Sequence, residues 1–162
     1  MHVLPQLRKL EKKYADILTV VGVHSAKFNA EKSSENVREA VRRYGIGHPV
    51  VNDADFEIWK SYAARAWPTL MFLDPTGKVI GRHEGEFPVD ALDQVLAGMI
   101  EEHEPMGNFV HGKLDLLPET KPETQLSFPG KITADSERDI LVISDSNHLR
   151  LIVSDLDGKV EA

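Results

Sequence analysis

The stretch that most constrains this chain is Ala66-Trp67-Pro68-Thr69-Leu70-Met71-Phe72-Leu73-Asp74, with Pro75-Thr76-Gly77-Lys78 directly behind it. From Thr69 to Leu73 every residue is apolar or β-favouring and none is charged, as in a strand buried on both faces. Pro68 stands at its start, where a missing N–H costs no ladder hydrogen bond. Asp74-Pro75-Thr76-Gly77 reads as a type I turn with glycine last, which folds the chain back into Lys78-Val79-Ile80. A proline at the mouth of such a strand is either a cis proline kept by a site or a trans proline that starts the strand. These residues alone favour trans.

The rest of the chain supplies the cover that a buried strand needs. Val3, Leu4, Leu7, Leu10 and Tyr14 fall at helical spacing, opposite Arg8, Lys9, Glu11, Lys12 and Lys13. Ile17–Val23 is a continuous β-rich run and reads as a buried strand. Ser33 or Ser34 caps a helix with Val37, Ala40, Val41 and Tyr44 on one face, ended by Gly45 and Gly47. Pro49-Val50-Val51 is a short strand. Asp53 or Asp55 then caps a short helix holding Phe56, Ile58, Trp59 and Tyr62, whose aromatic residues read as core. After the hairpin strand, from Lys78 to about Glu84, Pro88 opens a helix whose Val89, Leu92, Val95, Leu96, Met99 and Ile100 face inward. An early strand–helix–strand section requires a parallel crossover, and the late hairpin is antiparallel. A mixed sheet covered by helices satisfies both.

Beyond Glu104 the periodicity stops. Residues 104–125 carry Pro105, Gly107, Gly112, Pro118 and Pro122 and read as a linker over a surface. From 126 onward only short β segments remain: Lys131–Ala134, Ile140–Ile143 and Leu149–Val153, cut by Asp/Ser/Asn turns. Such a meander is the pattern of one propeller blade, which cannot bury both faces by itself.

Composition narrows the chemistry. Nineteen basic against 26 acidic residues, with no basic cluster, argue against nucleic acid as a partner. No apolar run approaches the length that spans a bilayer, so membrane insertion is not expected. The 162 residues contain no cysteine, which excludes disulfides, thiolate metal sites and a thiol nucleophile within them. His2, His24, His48, His83, His103, His111 and His148 are widely spaced and never at i, i+4, so no metal site is expected. Asn52-Asp53-Ala54-Asp55 with Glu57 echoes a calcium loop, but the glycine and the final glutamate of such a loop are missing; helix capping accounts for it better. Asp145-Ser146-Asn147-His148 is better explained by hydrogen bonds within its own turn than by a ligand. There is no Gly-rich phosphate loop and no Ser/His/Asp constellation.

Residues 1–103, with the strand Ile17–Val23, Trp67-Pro68-Thr69, Asp74-Pro75-Thr76-Gly77-Lys78 and the closing helix, resemble a thioredoxin-like domain of the redoxin kind. Residues 126–162, with Leu126-Ser127-Phe128-Pro129-Gly130 and Ile143-Ser144-Asp145-Ser146-Asn147-His148, resemble the first NHL repeat of a β-propeller. Together they resemble thioredoxin-like proteins fused to NHL repeats. The resemblance implies an α/β fold: a thioredoxin-like mixed sheet with flanking helices, a linker over 104–125, then the first blade.

In that family a strand and a Cys-x-x-Cys motif precede the first helix, and Met1–Leu7 is similar to the stretch after the second cysteine. The resemblance therefore implies a chain truncated at both ends; a cysteine-free scaffold is the other reading. Without the first strand, Ile17–Val23 would expose an edge, and the isolated chain is expected to aggregate or stay partly molten. The implied activity of the parent is thiol–disulfide or peroxide-type redox chemistry, with a propeller for partner binding and no cofactor. Its thiolate would sit at a helix N-terminus and attack a disulfide, and a second cysteine would resolve the product. Pro68 would be the cis proline facing that motif, with Trp67, Pro68 and Thr69 the substrate-binding residues. The partner would be a protein or a thiol/disulfide substrate. No catalytic residue lies among these 162, so the chain is expected to bind but not to exchange electrons. The alternative function is a redox-inactive thioredoxin-fold scaffold or protein–protein binding module.

Overall fold

The computed structural model describes residues 3–112, 114–117, 119 and 123–160. They divide into two compact units, one drawn from 1–41 and 45–118 and the other from 42–44 and 119–162. No helix among the described residues is long and apolar enough to cross a membrane.

The first unit opens with helix α1 (Val3–Lys13), in which Pro5 is tolerated because it lies in the first turn. Strand β1 (Gly22–His24), helix α2 (Ser34–Tyr44) and strand β2 (Val50–Asn52) follow, and β1 pairs with β2 in parallel through that crossover. A short helix α3 (Glu57–Ser61) leads to β3 (Thr69–Leu73) and β4 (Val79–Glu84), an antiparallel hairpin, and the unit closes with α4 (Val89–His103). The hairpin turn forms as its residues dictate. Gly77 N–H donates to the Asp74 carbonyl at 2.9 Å with Gly77 at φ +85°, and Asp74 Oδ1 accepts from the amides of Thr76 and Lys78. The core is Leu10, Phe87 and Leu92, packed by Leu7, Tyr14, Leu18, Leu70, Phe72 and Leu96. Lys13 Nζ and Tyr14 Oη both donate to the Asp93 carboxylate, fastening α1 to α4.

Not every expectation holds in detail. The strand expected over Ile17–Val23 is confined to Gly22–His24, because the amides of Ile17 and Leu18 donate back to Tyr14 O in a helix-ending turn. The mixed α/β architecture is as expected, its strands forming, among the described residues, a parallel ladder β1–β2 and an antiparallel ladder β3–β4. Val95, expected on the inner face of α4, is exposed. The segment expected to be a linker begins as part of the first unit: one 3-10 turn over Glu104–Met106, then a run to Gly112, whose N–H donates to Asp16 O at 2.9 Å.

The second unit is an antiparallel meander of β5 (Pro129–Asp135), β6 (Ile140–Asp145) and β7 (Arg150–Ser154), with a lone bridge from Ser154 to Val160. Register places Ile132, Ile143 and Ile152 together on one face, and Val142, Val153 and Leu151 on the other. Both faces of this sheet are therefore apolar.

Candidate functional site

The site is built at the mouth of β3. The Trp67–Pro68 peptide bond is cis, as the resemblance implied and the residues alone did not. Two of the three residues expected to bind substrate are committed to the frame around them: the Pro68 carbonyl accepts the Gly85 amide at 2.8 Å, and Thr69 Oγ1 donates to the Ala66 carbonyl at 2.6 Å. The Trp67 side chain is the one that remains presented, 50% exposed. Its Nε1–H donates to the Ser25 carbonyl at 2.9 Å, just past the end of β1. Its ring lies 4.3 Å from that of Trp59, and Phe56 meets both edge-on. Phe56, Trp59 and Tyr62 are thus not the core expected of them. Phe56 and Trp59 are half-buried and support Trp67, and Tyr62 is exposed. The aromatic faces stack because an edge-on or tilted contact aligns the ring quadrupoles.

Beneath the aromatic cluster lies a buried polar node. Asp53 Oδ2 accepts from Ser25 Oγ at 2.8 Å and from the Trp59 amide at 2.9 Å, and Oδ1 accepts from the Ile58 amide at 3.0 Å. Of the two expected caps, Asp53 or Asp55, it is Asp53 that takes the first-turn amides of α3, and it also locks the Ser25 turn that receives the Trp67 indole. Burial pushes the Asp53 carboxyl up, but the hydrogen bonds from Trp59, Ser25 and Ile58 outweigh it and hold the group below the usual carboxylate range. Three donors from α3 and the Ser25 turn converge on it, so Asp53 positions the site. Phe56 sits at φ +61°, a left-handed conformation strained for a bulky residue, which this framework holds in place.

His2 lies outside the described residues; each of the other histidines has a hydrogen-bond partner, His24 with Glu31 O, His48 with Glu11, His83 with Glu86 O, His103 with Asn108, His111 with Asp16 and Glu104, and His148 with Asp145. No group of three metal-binding side chains converges among the described residues. Ser25 escaped the sequence reading, since nothing in a lone serine marks it; the nearest signal was Asp53, already read as a cap.

Residues 1–79 match the family model described as thioredoxin-like. The first unit is a thioredoxin-like domain. The chain is similar to the chloroplastic protein SUPPRESSOR OF QUENCHING 1 of Arabidopsis thaliana, 45% identical over 157 residues, which is 91% of this chain and 15% of that protein. It is similar also to NHL repeat-containing protein 2 of Homo sapiens, 38% identical over 99% of this chain and 23% of that protein. The thiol-disulfide oxidoreductase ResA of Bacillus thuringiensis is 30% identical over 57% of this chain and 51% of its own length. The chain thus spans less than a quarter of the length of the longer relatives. The thioredoxin-like domain belongs to a fold used by thiol–disulfide proteins, and the match to an NHL repeat-containing protein runs through the second unit as well.

Proposed function

We propose that this chain is the substrate-binding part of a thioredoxin-like, NHL-repeat protein that acts in thiol–disulfide exchange. Trp67, Pro68 and Thr69 form the wall against which an extended segment of a protein partner lies. The position of Trp67 carries this reading: a half-exposed indole at the mouth of β3, stacked on Trp59 and tied to Ser25, within a thioredoxin-like domain. In the exchange, a thiolate attacks one sulfur of the partner's disulfide and the other sulfur leaves as thiolate. A second thiol then displaces the partner, so two thiols become a disulfide as the partner's disulfide is reduced. With no cysteine among the 162 residues, both thiols come from outside them. What these residues supply is binding, orientation and exclusion of water. On this reading residues 126–162 are the first propeller blade, supported by a meander with apolar residues on both faces, and the propeller binds a partner.

The absence of cysteine favours a second reading, a redox-inactive binding module. An in-frame Cys-x-x-Cys encoded upstream of Met1 decides for the first, and its absence for the second. For either, Trp67→Ala is expected to weaken binding of an extended peptide by roughly tenfold, the loss of one aromatic anchor, with a melting temperature lowered by the lost Ser25 bond and Trp59 stacking but a chain still folded at the temperature of the titration. Titration followed by fluorescence of the remaining tryptophan reads this, and equal affinity in the variant sinks the wall. The purified chain is expected not to reduce insulin disulfides; measurable reduction would refute the thiol assignment.

A further inference from the structure

After α4 and its 3-10 turn, the chain from Gly107 to Gly112 has no regular structure. Glycines at both ends hold left-handed backbone, φ +67° and φ +133°, which leaves a short strap between two permissive points. Within it Phe109 and the largely exposed Val110 line one side of an open pocket of about 370 Å³, whose other sides include Tyr14, Leu18, Phe72 and Met99 together with the polar Thr19 and Asp74. One end of the strap is held by Asn108, whose amide donates to His103 O at 3.4 Å. The other end is held at Asp16, whose carbonyl takes the Gly112 amide.

At that end the His111 ring lies between two carboxylates. Nδ1 is 3.2 Å from Asp16 Oδ2 and Nε2 is 2.9 Å from Glu104 Oε1. A neutral imidazole carries one N–H and would turn a lone pair toward the second carboxylate; only the imidazolium donates to both. We propose that residues 107–112 are a strap along the rim of this pocket, latched by the His111 imidazolium and released when it loses its proton. Asp16, in the turn after α1, and Glu104, in the 3-10 turn, are the titratable groups facing His111 among the described residues, and the Phe109 ring lies 6.5 Å away. The hydrogen bonds to Asp16 and then Glu104 raise the His111 pKa above its ordinary value, and His111 in turn holds Asp16 down. For a group raised on folding, the latch is complete below about pH 6.5 and is lost as pH rises through the folded value. Exposed ion pairs are individually weak. A strap anchored at its two ends opens at small free energy, so a weak latch still sets how often it opens.

The test uses the full chain, followed by NMR from about pH 5.5 to about pH 8.5, across the ordinary histidine range. The His111 ring is expected to titrate above its ordinary value. Protection of the Gly112 amide from hydrogen exchange should fall several-fold at the same midpoint, beyond the intrinsic rise of exchange with pH. His111→Gln should lack that step, and Glu104→Gln should move the midpoint down. A ring that titrates at or below its ordinary value overturns the latch, as does a step that survives in His111→Gln. His111 is exposed, so the variant should fold; if it does not, the wild-type ring titration alone decides.

Discussion

Each unit holds one buried aspartate at its centre, and the two solve the same problem differently. Asp53 and Asp145 each receive a single donor on Oδ1 and two donors on Oδ2. For Asp53 all the donors are neutral: a hydroxyl and two backbone amides at the start of α3. For Asp145, which has no exposed surface, one is the Ser127 amide at 2.6 Å and two are basic side chains, His148 at 2.6 Å and Arg150 at 2.9 Å. Burial pushes the Asp145 carboxyl up, yet the bonds from Ser127, His148 and Arg150 bring it down to about 2. Amide dipoles suffice where the carboxylate organises backbone around a helix start. Where it must hold side chains across a turn of a small sheet, it needs countercharge. The first arrangement positions an exposed indole, and the second holds a meander together.

Removing each acceptor is the most severe way to break this comparison. Asp145→Ala leaves a buried amide and a guanidinium without their acceptor, and is expected to abolish the dispersed NMR signals of the second unit while sparing the first. Asp53→Ala should do the reverse on a smaller scale, loosening α3 and changing the Trp67 and Trp59 fluorescence while the meander's signals persist. Identical responses in the two variants would mean that the countercharge has no special role.

A milder perturbation is Gly130→Ala beside the Asp145 turn. A Cβ there would stand 2.7 Å from Ser146 Oγ, so that hydroxyl must rotate away. A loss of about 1 kcal/mol, at the low end of overpacking costs, is expected in chemical denaturation of the second unit. Unchanged stability would show the turn to be looser than its geometry.

The smallest effect is the acid limb. Both carboxylates are lowered on folding, so each contributes its stability in full above the ordinary carboxylate value near 4 and loses it as pH falls through its folded value. For Asp145 that loss runs down to about pH 2. The second unit should therefore keep its NMR dispersion into more acid solution than the α3 region, and the opposite order would reverse the ranking of the two sites.

Elements set by local signals were legible before the structure was known. β3 followed from an uninterrupted apolar run, its turn from Asp-Pro-Thr-Gly, and α4 from its periodicity, with Leu92 buried as expected. The over-long strand at Ile17–Val23 shows the limit of that signal. A β-rich run also suits a chain that leaves a helix and passes into the core, and the Tyr14 carbonyl captured its first residues. The segment after Glu104 reads as linker by its Pro and Gly content, because the contact that fixes it joins His111 to Asp16, 95 residues earlier. In the site, Trp67 was visible from its place before a proline. The Ser25–Asp53 bond that steadies it spans 28 positions and has no local mark. Phe56 and Trp59 carried the right apolar character but the wrong role: large rings beside a half-exposed indole support a surface as readily as they fill a core.

The sheet of the second unit leaves an apolar side chain exposed on each face, Ile132 at 65% on one and Leu151 at 66% on the other. A strand layer with two such faces has a folding equilibrium linked by mass action to whatever stacks on it. Its melting temperature is then a function of neighbour concentration rather than a constant of the polypeptide. A covalently attached neighbour fixes that concentration at a high effective value, and separate copies in solution make it a variable that the experimenter sets by dilution.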